Sequence, residues 1–160
     1  MNPWVVGWIA SDGHNNGSSW SISQNIEDVD PLMLIREIYP DVGVRVDENS
    51  RNRYGDKPMV IIWRNSREDC IELSRQGIPS GDKTETLDFP DSLSEEDMWL
   101  YLRGVYEGDG SISMESNTYP RIGITTSKLW CEKCERWLIE RDIRAYTVKD
   151  GGAYFLLNDS

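Results

Sequence analysis

The sequence predicts an α+β fold of two pseudo-symmetric αββαββ(α) repeats, and a duplicated motif is the main reason. The segments WVVGWIASDG (4–13) and YLRGVYEGDG (101–110) are mostly apolar, have glycine at their fourth position and end in Asp-Gly. The same order of alternating, strand-like patterns and periodic, helix-like patterns follows each segment. We therefore expect the two motif helices to pack at the centre, with curved antiparallel sheets around them.

After its motif helix, the first repeat continues with strand-like and helix-like patterns. These predict, in order, a strand at 20–24, a helix at about 29–39, strands at 42–46 and 59–63, and a helix at about 67–76. Pro40 and Gly43 end the first of these helices and Gly77 ends the second, because proline and glycine stop helices.

The second repeat follows the same order of patterns. They predict strands at 111–114 and 121–125, a helix at about 128–141, and strands at 145–148 and 153–157. The turn KDGG between the last two strands is typical of a β-hairpin. No helix-like pattern follows, so we expect this repeat to lack the final helix of the first. The expected divisions are 1–81 for the first repeat, 82–97 for an acidic linker and 98–160 for the second repeat.

Length and composition are those of one globular domain. The chain has 160 residues, of which 38% are hydrophobic, which is enough to bury a core. No stretch reaches the roughly 20 apolar residues of a membrane span, and no signal peptide is visible, so we expect a cytoplasmic protein. Cys131 and Cys134 form a CxxC inside a helical pattern without a second pair, which favours two small helical residues over a zinc site.

The charge is strongly acidic but unevenly distributed. Lys and Arg total 17 against 28 Asp and Glu, which gives a net charge of −11, whereas nucleic-acid-binding proteins usually carry a basic face. Residues 45–67 hold six basic and three acidic residues, and residues 82–97 hold seven acidic residues and one lysine. An acidic protein-interaction domain would explain the charge but not the duplicated Asp-Gly helices.

The aspartates that end the two motifs are candidate metal ligands. In each motif a small residue recurs after four positions: Gly7 and Ser11, and Gly104 and Gly108. Such a stripe lies on one helix face and lets two helices approach closely, so we expect Asp12 and Asp109 to meet at the helix ends. Two facing carboxylates repel each other unless a hard cation such as Mg²⁺ lies between them. A single helix ending in Asp-Gly is common, but two copies in register favour the paired site.

These residues carry a family resemblance. WVVGWIASDG and LRGVYEGDGSI resemble the two LAGLIDADG motifs of single-chain homing endonucleases and of intein endonuclease domains, and GIPSGDKT resembles the segment before their second motif. The resemblance covers almost the whole chain. It implies a monomeric, site-specific endonuclease of double-stranded DNA, encoded by an intein or an intron. It also implies hydrolysis of phosphodiester bonds by water activated by Mg²⁺, with Mn²⁺ as a substitute.

The resemblance also implies roles for individual residues. Asp12 and Asp109 would be the metal ligands, and Lys83 would assist the hydrolytic water. The sheets would form a saddle in the DNA major groove, with outward side chains on the bases. Gln24, at a strand end near the site, is a further candidate for placing water, although a glutamine at a strand end often has no special role.

Strand alternation predicts which side chains face DNA. In the first repeat they are Ser21, Ser23, Arg45 and Arg64, with phosphate contacts from the loop residues Arg51, Arg53 and Lys57. In the second repeat they are Arg121, Thr125, Thr147 and Lys149. Arginine can bond guanine with both nitrogens, while loop cations mainly fix position on the backbone. Each of these residues could equally be an ordinary solvated surface residue.

The sequence departs from the family in several places. Ala10 stands where the first motif usually has its earlier acid, a second lysine has no counterpart, and no splicing-junction residues are visible. A catalytically inactive DNA- or RNA-binding module, or a maturase, on the same fold is therefore the alternative. Because both acids are present, we expect the enzyme.

Overall fold

Two four-stranded antiparallel sheets flank a central pair of helices. The computed structural model describes residues 1–48, 57–115, 119–150 and 153–159. The first half contains α1 (Pro3–Ser11), β1 (Gly13–Asn15), β2 (Ser19–Asn25), α2 (Asp30–Ile38), β3 (Gly43–Asp47), β4 (Met59–Asn65) and α3 (Arg67–Arg75). The second half contains α4 (Glu95–Asp109), β5 (Gly110–Glu115), β6 (Tyr119–Thr126), α5 (Lys128–Ile139), β7 (Ala145–Asp150) and β8 (Ala153–Asp159). The strand orders β1-β2-β4-β3 and β5-β6-β8-β7 are equivalent, and the predicted α+β fold is confirmed.

Two elements differ from the predicted pattern. The short strand β1 lies in the stretch HNNGSS, which reads as a turn because of its polar residues and glycine. The helix α4 begins at Glu95, inside the segment 82–97 predicted as a linker. Its start has a clear cause, because the Ser94 hydroxyl accepts a hydrogen bond from the Asp97 backbone N–H and three acidic residues occupy the first turn.

The helix α1 is buried on nearly every side. The Asn2 side chain caps its start by accepting hydrogen bonds from the backbone N–H groups of Trp4 and Val5, and Pro3 occupies the first turn. Residues 5–10 are all buried. A helix that is apolar all round needs neighbours on all sides, so the sequence of α1 places it at the centre of the molecule.

Glycines let α1 and α4 touch through their backbones. A Cβ atom on Gly7 would overlap the carbonyl oxygen of Tyr101, and one on Gly104 would overlap the carbonyl oxygen of Trp4. Further along, a Cβ on Gly108 would overlap the Ser11 hydroxyl. The predicted stripe of small residues therefore forms the contact, and the two helices run side by side toward the same end.

The helix α3 closes the first sheet. Ile22 of β2 and Ile62 of β4 are cross-strand partners and both are buried. Trp20, on the same face, is completely buried, and its indole N–H donates to the Asp69 carboxylate of α3 at 2.9 Å. The Ser66 hydroxyl caps α3 by accepting from the Asp69 N–H at 3.1 Å.

An aromatic cluster packs α5 against α4 in the second half of the chain. Trp130 of α5 is buried and donates its indole N–H to the Tyr101 hydroxyl of α4 at 2.8 Å. Phe89 packs edge-on against both rings. Cys131 and Cys134 are buried in α5, and burial raises the pKa of the Cys131 thiol to about 12. The CxxC is thus part of the core in the structure.

The two sheets are covered unequally. Trp20 and Ile122 occupy equivalent positions in the two sheets. The glycine after each motif helix pairs with Ile22 in the first sheet and with Ile124 in the second, and Trp20 and Ile122 each lie two residues before these partners. Trp20 has no exposed surface, whereas 45% of Ile122 is exposed. In the described part of the chain no helix takes the α3 position on the second sheet. None of the described helices has the length and apolarity that crossing a membrane requires.

Candidate metal centre

The two motif aspartates lie together where α1 and α4 end. Asp12 follows α1, and its N–H donates to the Trp8 carbonyl at 3.0 Å; Asp109 is the last residue of α4. A Cβ on Gly108 would lie only 3.2 Å from an Asp12 carboxylate oxygen, so no side chain at that position separates the two acids. The glycine contact described above therefore sets the site.

Both carboxylates are unusually costly to ionise. Burial, followed by the neighbouring charge of Asp12, raises the pKa of Asp109 to about 6, although Lys83 opposes the shift. Burial also raises the pKa of Asp12, against the hydrogen bond from Gln24 and the charge of Lys83. Two partly buried, mutually repelling carboxylates are a setting in which a bound cation lowers the free energy.

Gln24 reaches the site from β2. It lies two residues after Ile22, so alternation turns it toward the helices. Its side-chain N–H donates to the Asp12 carboxylate at 2.6 Å. This bond fixes the orientation of the Asp12 side chain and leaves its other oxygen available.

Lys83 reaches the site from the segment that follows α3. Its ammonium donates to the carbonyl oxygen of Ile9 at 2.7 Å and also to that of Ser11, at the C-terminal end of α1. Burial lowers the pKa of Lys83 to about 8, against the charges of Asp109 and Asp12. An ammonium at a helix C-terminus is favoured by the helix dipole, which helps to hold it there.

Asn15 anchors this segment and could not be identified as important from the sequence. Its side chain is buried, and the side-chain N–H donates to the Ile78 carbonyl at 3.2 Å. The backbone carbonyl of Asn15 accepts from the Gly81 N–H at 2.8 Å. The segment that carries Lys83 is thereby tied to β1. Its burial and its backbone partners depend on the fold, and no local sequence pattern indicates them.

The sheet register separates the residues predicted to face DNA. Ser23 of β2 and Arg45 of β3 both stand opposite Ile61 of β4, so they share the face that points away from the helices, and Ser21 lies on it as well. In the second sheet Arg121 and Thr125 lie on the corresponding face.

The prediction is wrong for Arg64, which stands opposite Trp20 on the helix-packed face. Its guanidinium bonds Asp69 at 2.6 Å and Asp41 at 2.8 Å, and it lies 5.0 Å above the Tyr39 ring. Partners from α3 and from the loop before β3 therefore satisfy an arginine that the sequence suggests is free to bind elsewhere.

The prediction is also wrong for Thr147 and Lys149. Thr147 stands opposite the buried Leu156, and Lys149 is two residues further along, so both lie on the helix side of the sheet. They line a groove with residues of α5, and the Thr147 N–H donates to the Glu135 carboxylate at 2.8 Å. Tyr146 and Val148, at the alternate positions of β7, lie on the outer face instead.

Among the predicted phosphate contacts, the structure describes Lys57. Lys57 forms an exposed ion pair with Glu27, which is of little energetic weight and leaves the lysine able to exchange partners. Arg51 and Arg53 lie outside the described residues.

Replacing Asp109 by Asn should stabilise the metal-free protein near neutral pH. The pKa of Asp109 rises from 3.8 to about 6 on folding, so the stability that its protonated form confers is lost as the pH rises from about 4 to about 6. Above about pH 6 the penalty is complete and amounts to about 3 kcal/mol. Melting temperatures in EDTA should therefore diverge in favour of Asp109→Asn across this range; parallel curves would contradict the effect of burial.

Comparison with known proteins shows a likeness of structure. No protein-family model matches the chain, and no curated protein matches it. The N-terminal LAGLIDADG domain of DUF199/WhiA superposes with a TM-score of 0.63 at 12% identity, over 99% of this chain and 74% of that one.

Two further solved structures are similar and contain DNA. I-DmoI, a homing endonuclease, in complex with DNA and Ca gives a TM-score of 0.60 at 18% identity, over 99% of this chain and 82% of that one. I-SmaMI bound to an uncleaved DNA target with calcium ions gives 0.60 at 14% identity, over 100% of this chain and 80% of that one. At these identities the likeness establishes the fold, which is that of LAGLIDADG domains.

Proposed function

We propose that this chain is a member of the LAGLIDADG homing endonuclease family. It would cut double-stranded DNA at a specific site as a monomer, by metal-dependent hydrolysis of phosphodiester bonds. The observation that carries the proposal is the meeting of Asp12 and Asp109 at the ends of two glycine-packed helices, with Gln24 and Lys83 beside them.

The donor set suits Mg²⁺, with Mn²⁺ as a substitute. Mg²⁺ binds through one or two carboxylates and completes its coordination with water and substrate phosphates, and Asp12 and Asp109 supply such a pair. Among the described residues no group of three or more His, Cys, Asp or Glu side chains offers another site. When bound, the cation would act as a Lewis acid and lower the pKa of water. Similar structures of I-DmoI contain Ca or Mn.

Gln24 and Lys83 would orient the metal ligand and handle the proton of the hydrolytic water. Gln24 holds one oxygen of Asp12 and so orients the ligand. Lys83 uses two donors on carbonyl oxygens at the C-terminal end of α1 and has a third for the site. With a pKa of about 8, it populates both protonation states near neutral pH, so it can hold or release a proton next to the hydrolytic water.

The outer faces of the two sheets would lie on the DNA. Arg45 and Arg121 are the cations that register puts on these faces among the residues chosen from the sequence, and each suits a guanine edge. The net charge of −11 predicts weak nonspecific affinity for DNA, because neutralisation of the DNA phosphates by basic side chains supplies most of the free energy of nonspecific binding. Selectivity would therefore rest on the few contacts of each sheet.

The proposal is tested by calorimetric titration of Ca²⁺ into the protein, with and without duplex DNA. Ca²⁺ binding that requires both Asp12 and Asp109 and strengthens with DNA would support it. Equal heats for the wild type and for the Asp12→Asn/Asp109→Asn variant would show that the two acids do not form a metal site. Metal and DNA binding without strand breaks in Mg²⁺ would instead favour a binding module on the same fold.

The DNA face is tested by a matched pair of arginines on opposite faces of one sheet. Arg45→Ala should weaken binding to selected duplexes about tenfold, roughly the value of one good base contact, and leave the melting temperature unchanged. Arg64→Ala should lower the melting temperature, because it leaves the buried Asp69 without its ion pair, and should change DNA affinity little. The opposite pattern would place DNA on the other face.

A further inference from the structure

Glu107, two residues before Asp109, joins α4 to α1 through side-chain hydrogen bonds. One of its carboxylate oxygens accepts from the indole N–H of Trp4 at 2.7 Å and from that of Trp8 at 3.2 Å. Its other oxygen accepts from the Arg103 guanidinium on its own helix at 2.7 Å. One carboxylate is thus hydrogen-bonded to side chains on two successive turns of the neighbouring helix.

These are the side-chain hydrogen bonds between α1 and α4 among the described residues. Elsewhere the two helices meet through glycine backbones and apolar side chains. Apolar contacts are individually weak and have no preferred direction, whereas charge-assisted hydrogen bonds are short and directional. Sliding of α4 along α1 by a fraction of a turn would break both indole bonds.

The position has no polar counterpart on the other helix. The repeat offset of 97 residues, which relates Gly7 to Gly104, relates Ala10 to Glu107. Ala10 is buried, with 2% of its surface exposed, and Tyr101, the counterpart of Trp4, bonds Trp130 of α5 instead. The hydrogen bonds of Glu107 to Trp4 and Trp8 therefore have no counterpart from α1 to α4, and the pseudo-symmetry of the motifs does not require them.

We infer that Glu107 is a positioning residue: by holding Trp4 and Trp8 it fixes the axial register of α4 on α1, and with it the spacing of Asp12 and Asp109. The inference rests on the proposed function in one respect, since it takes a divalent cation as the ligand of the two acids. A rise of about 1.5 Å per residue puts Asp109 roughly 3 Å along the helix from Glu107. An axial shift at Glu107 is therefore transmitted to Asp109 almost undiminished.

The test compares Ca²⁺ affinity, measured by calorimetry without any cleavage, among three variants well below their melting temperatures. Glu107→Ala should lower the affinity about tenfold, which corresponds to 1.4 kcal/mol. Glu107→Gln keeps an oxygen acceptor for the indoles and should stay within about threefold of the wild type. Arg103→Ala removes the ion pair but neither indole bond, so its affinity should match that of the wild type.

A further variant shows whether Glu107 acts through the indole groups. Trp4→Phe keeps a ring but removes its N–H donor, so Glu107→Ala should cost clearly less Ca²⁺ affinity in that background than in the wild type. If Glu107 had only a structural role, Glu107→Ala would lower the melting temperature and leave Ca²⁺ affinity unchanged, and this result would overturn the inference. Losses of Ca²⁺ affinity that simply add between Glu107→Ala and Trp4→Phe would overturn it as well. If the wild type itself bound no Ca²⁺, the proposed function would fail first, and this inference with it.

Discussion

Asp12→Asn and Asp109→Asn are each expected to abolish DNA cleavage without unfolding the protein. Asparagine keeps the size of the side chain but removes the charge that would hold the cation. A bound metal contributes several kcal/mol to stabilising a phosphoryl transition state, and each 1.4 kcal/mol is tenfold in rate. We therefore expect a loss of at least about a hundredfold from either substitution.

Strand breaks would be measured in Mg²⁺ on a library of randomised duplexes, with the cut ends sequenced, since this requires no knowledge of the target. Asp142→Asn is the matched control: Asp142 is exposed, far along the chain from the site, and has a φ of 60° that asparagine tolerates. Wild-type cleavage by either motif variant would show that the acid concerned is not needed for catalysis.

Gly104→Leu is expected to be the most destabilising single substitution in the central helices. Its Cβ would overlap the Trp4 carbonyl, and Gly7 Cα would lie at 3.1 Å, so the obstacle is backbone that cannot rotate away. The helices must separate, which exposes buried surface along their whole contact. The expected cost is on the order of 3 kcal/mol or more, or roughly 6–12 °C in melting temperature for a chain of this size.

The measurement is thermal unfolding followed by circular dichroism. Arg103→Leu makes the neighbouring substitution on the exposed face of the same helix, where 67% of the arginine side chain is accessible, and should shift the transition by little. If both variants melted with the wild type, the backbone contact between α1 and α4 could not be what holds the molecule together.

The sequence by itself determined the fold class and the pair of acids to consider. Both follow from local information that occurs twice: an apolar helix, small residues four positions apart and a closing Asp-Gly. A duplicated pattern implies a symmetric contact, and the smallest side chains mark where it lies. The start of α4 at Glu95 was also available locally, because a serine followed by three acids is an N-cap and an acidic first turn.

Only the tertiary structure decided which face each polar strand residue occupies. Arg64, Thr147 and Lys149 lie on the helix side because the register of their strands is set by buried partners such as Ile62 and Leu156. Strand alternation alone does not say which of the two faces is covered by helices, and the prediction places these three residues on the opposite face. On that side Arg64 forms an ion pair with Asp69 of α3, and the Thr147 backbone N–H donates to Glu135 of α5.

The neighbours of the two acids were decided in the same way. Lys83 and Gln24 reach the site over separations of 72 and 12 residues from Ser11 and Asp12, and Glu107 grips Trp4 across 103 residues. No local pattern specifies contacts of that length, because they depend on how Asn15 and the sheets route the chain back to the helix ends. The sequence identifies the chemical groups, while their geometry arises only when distant segments pack and exclude water.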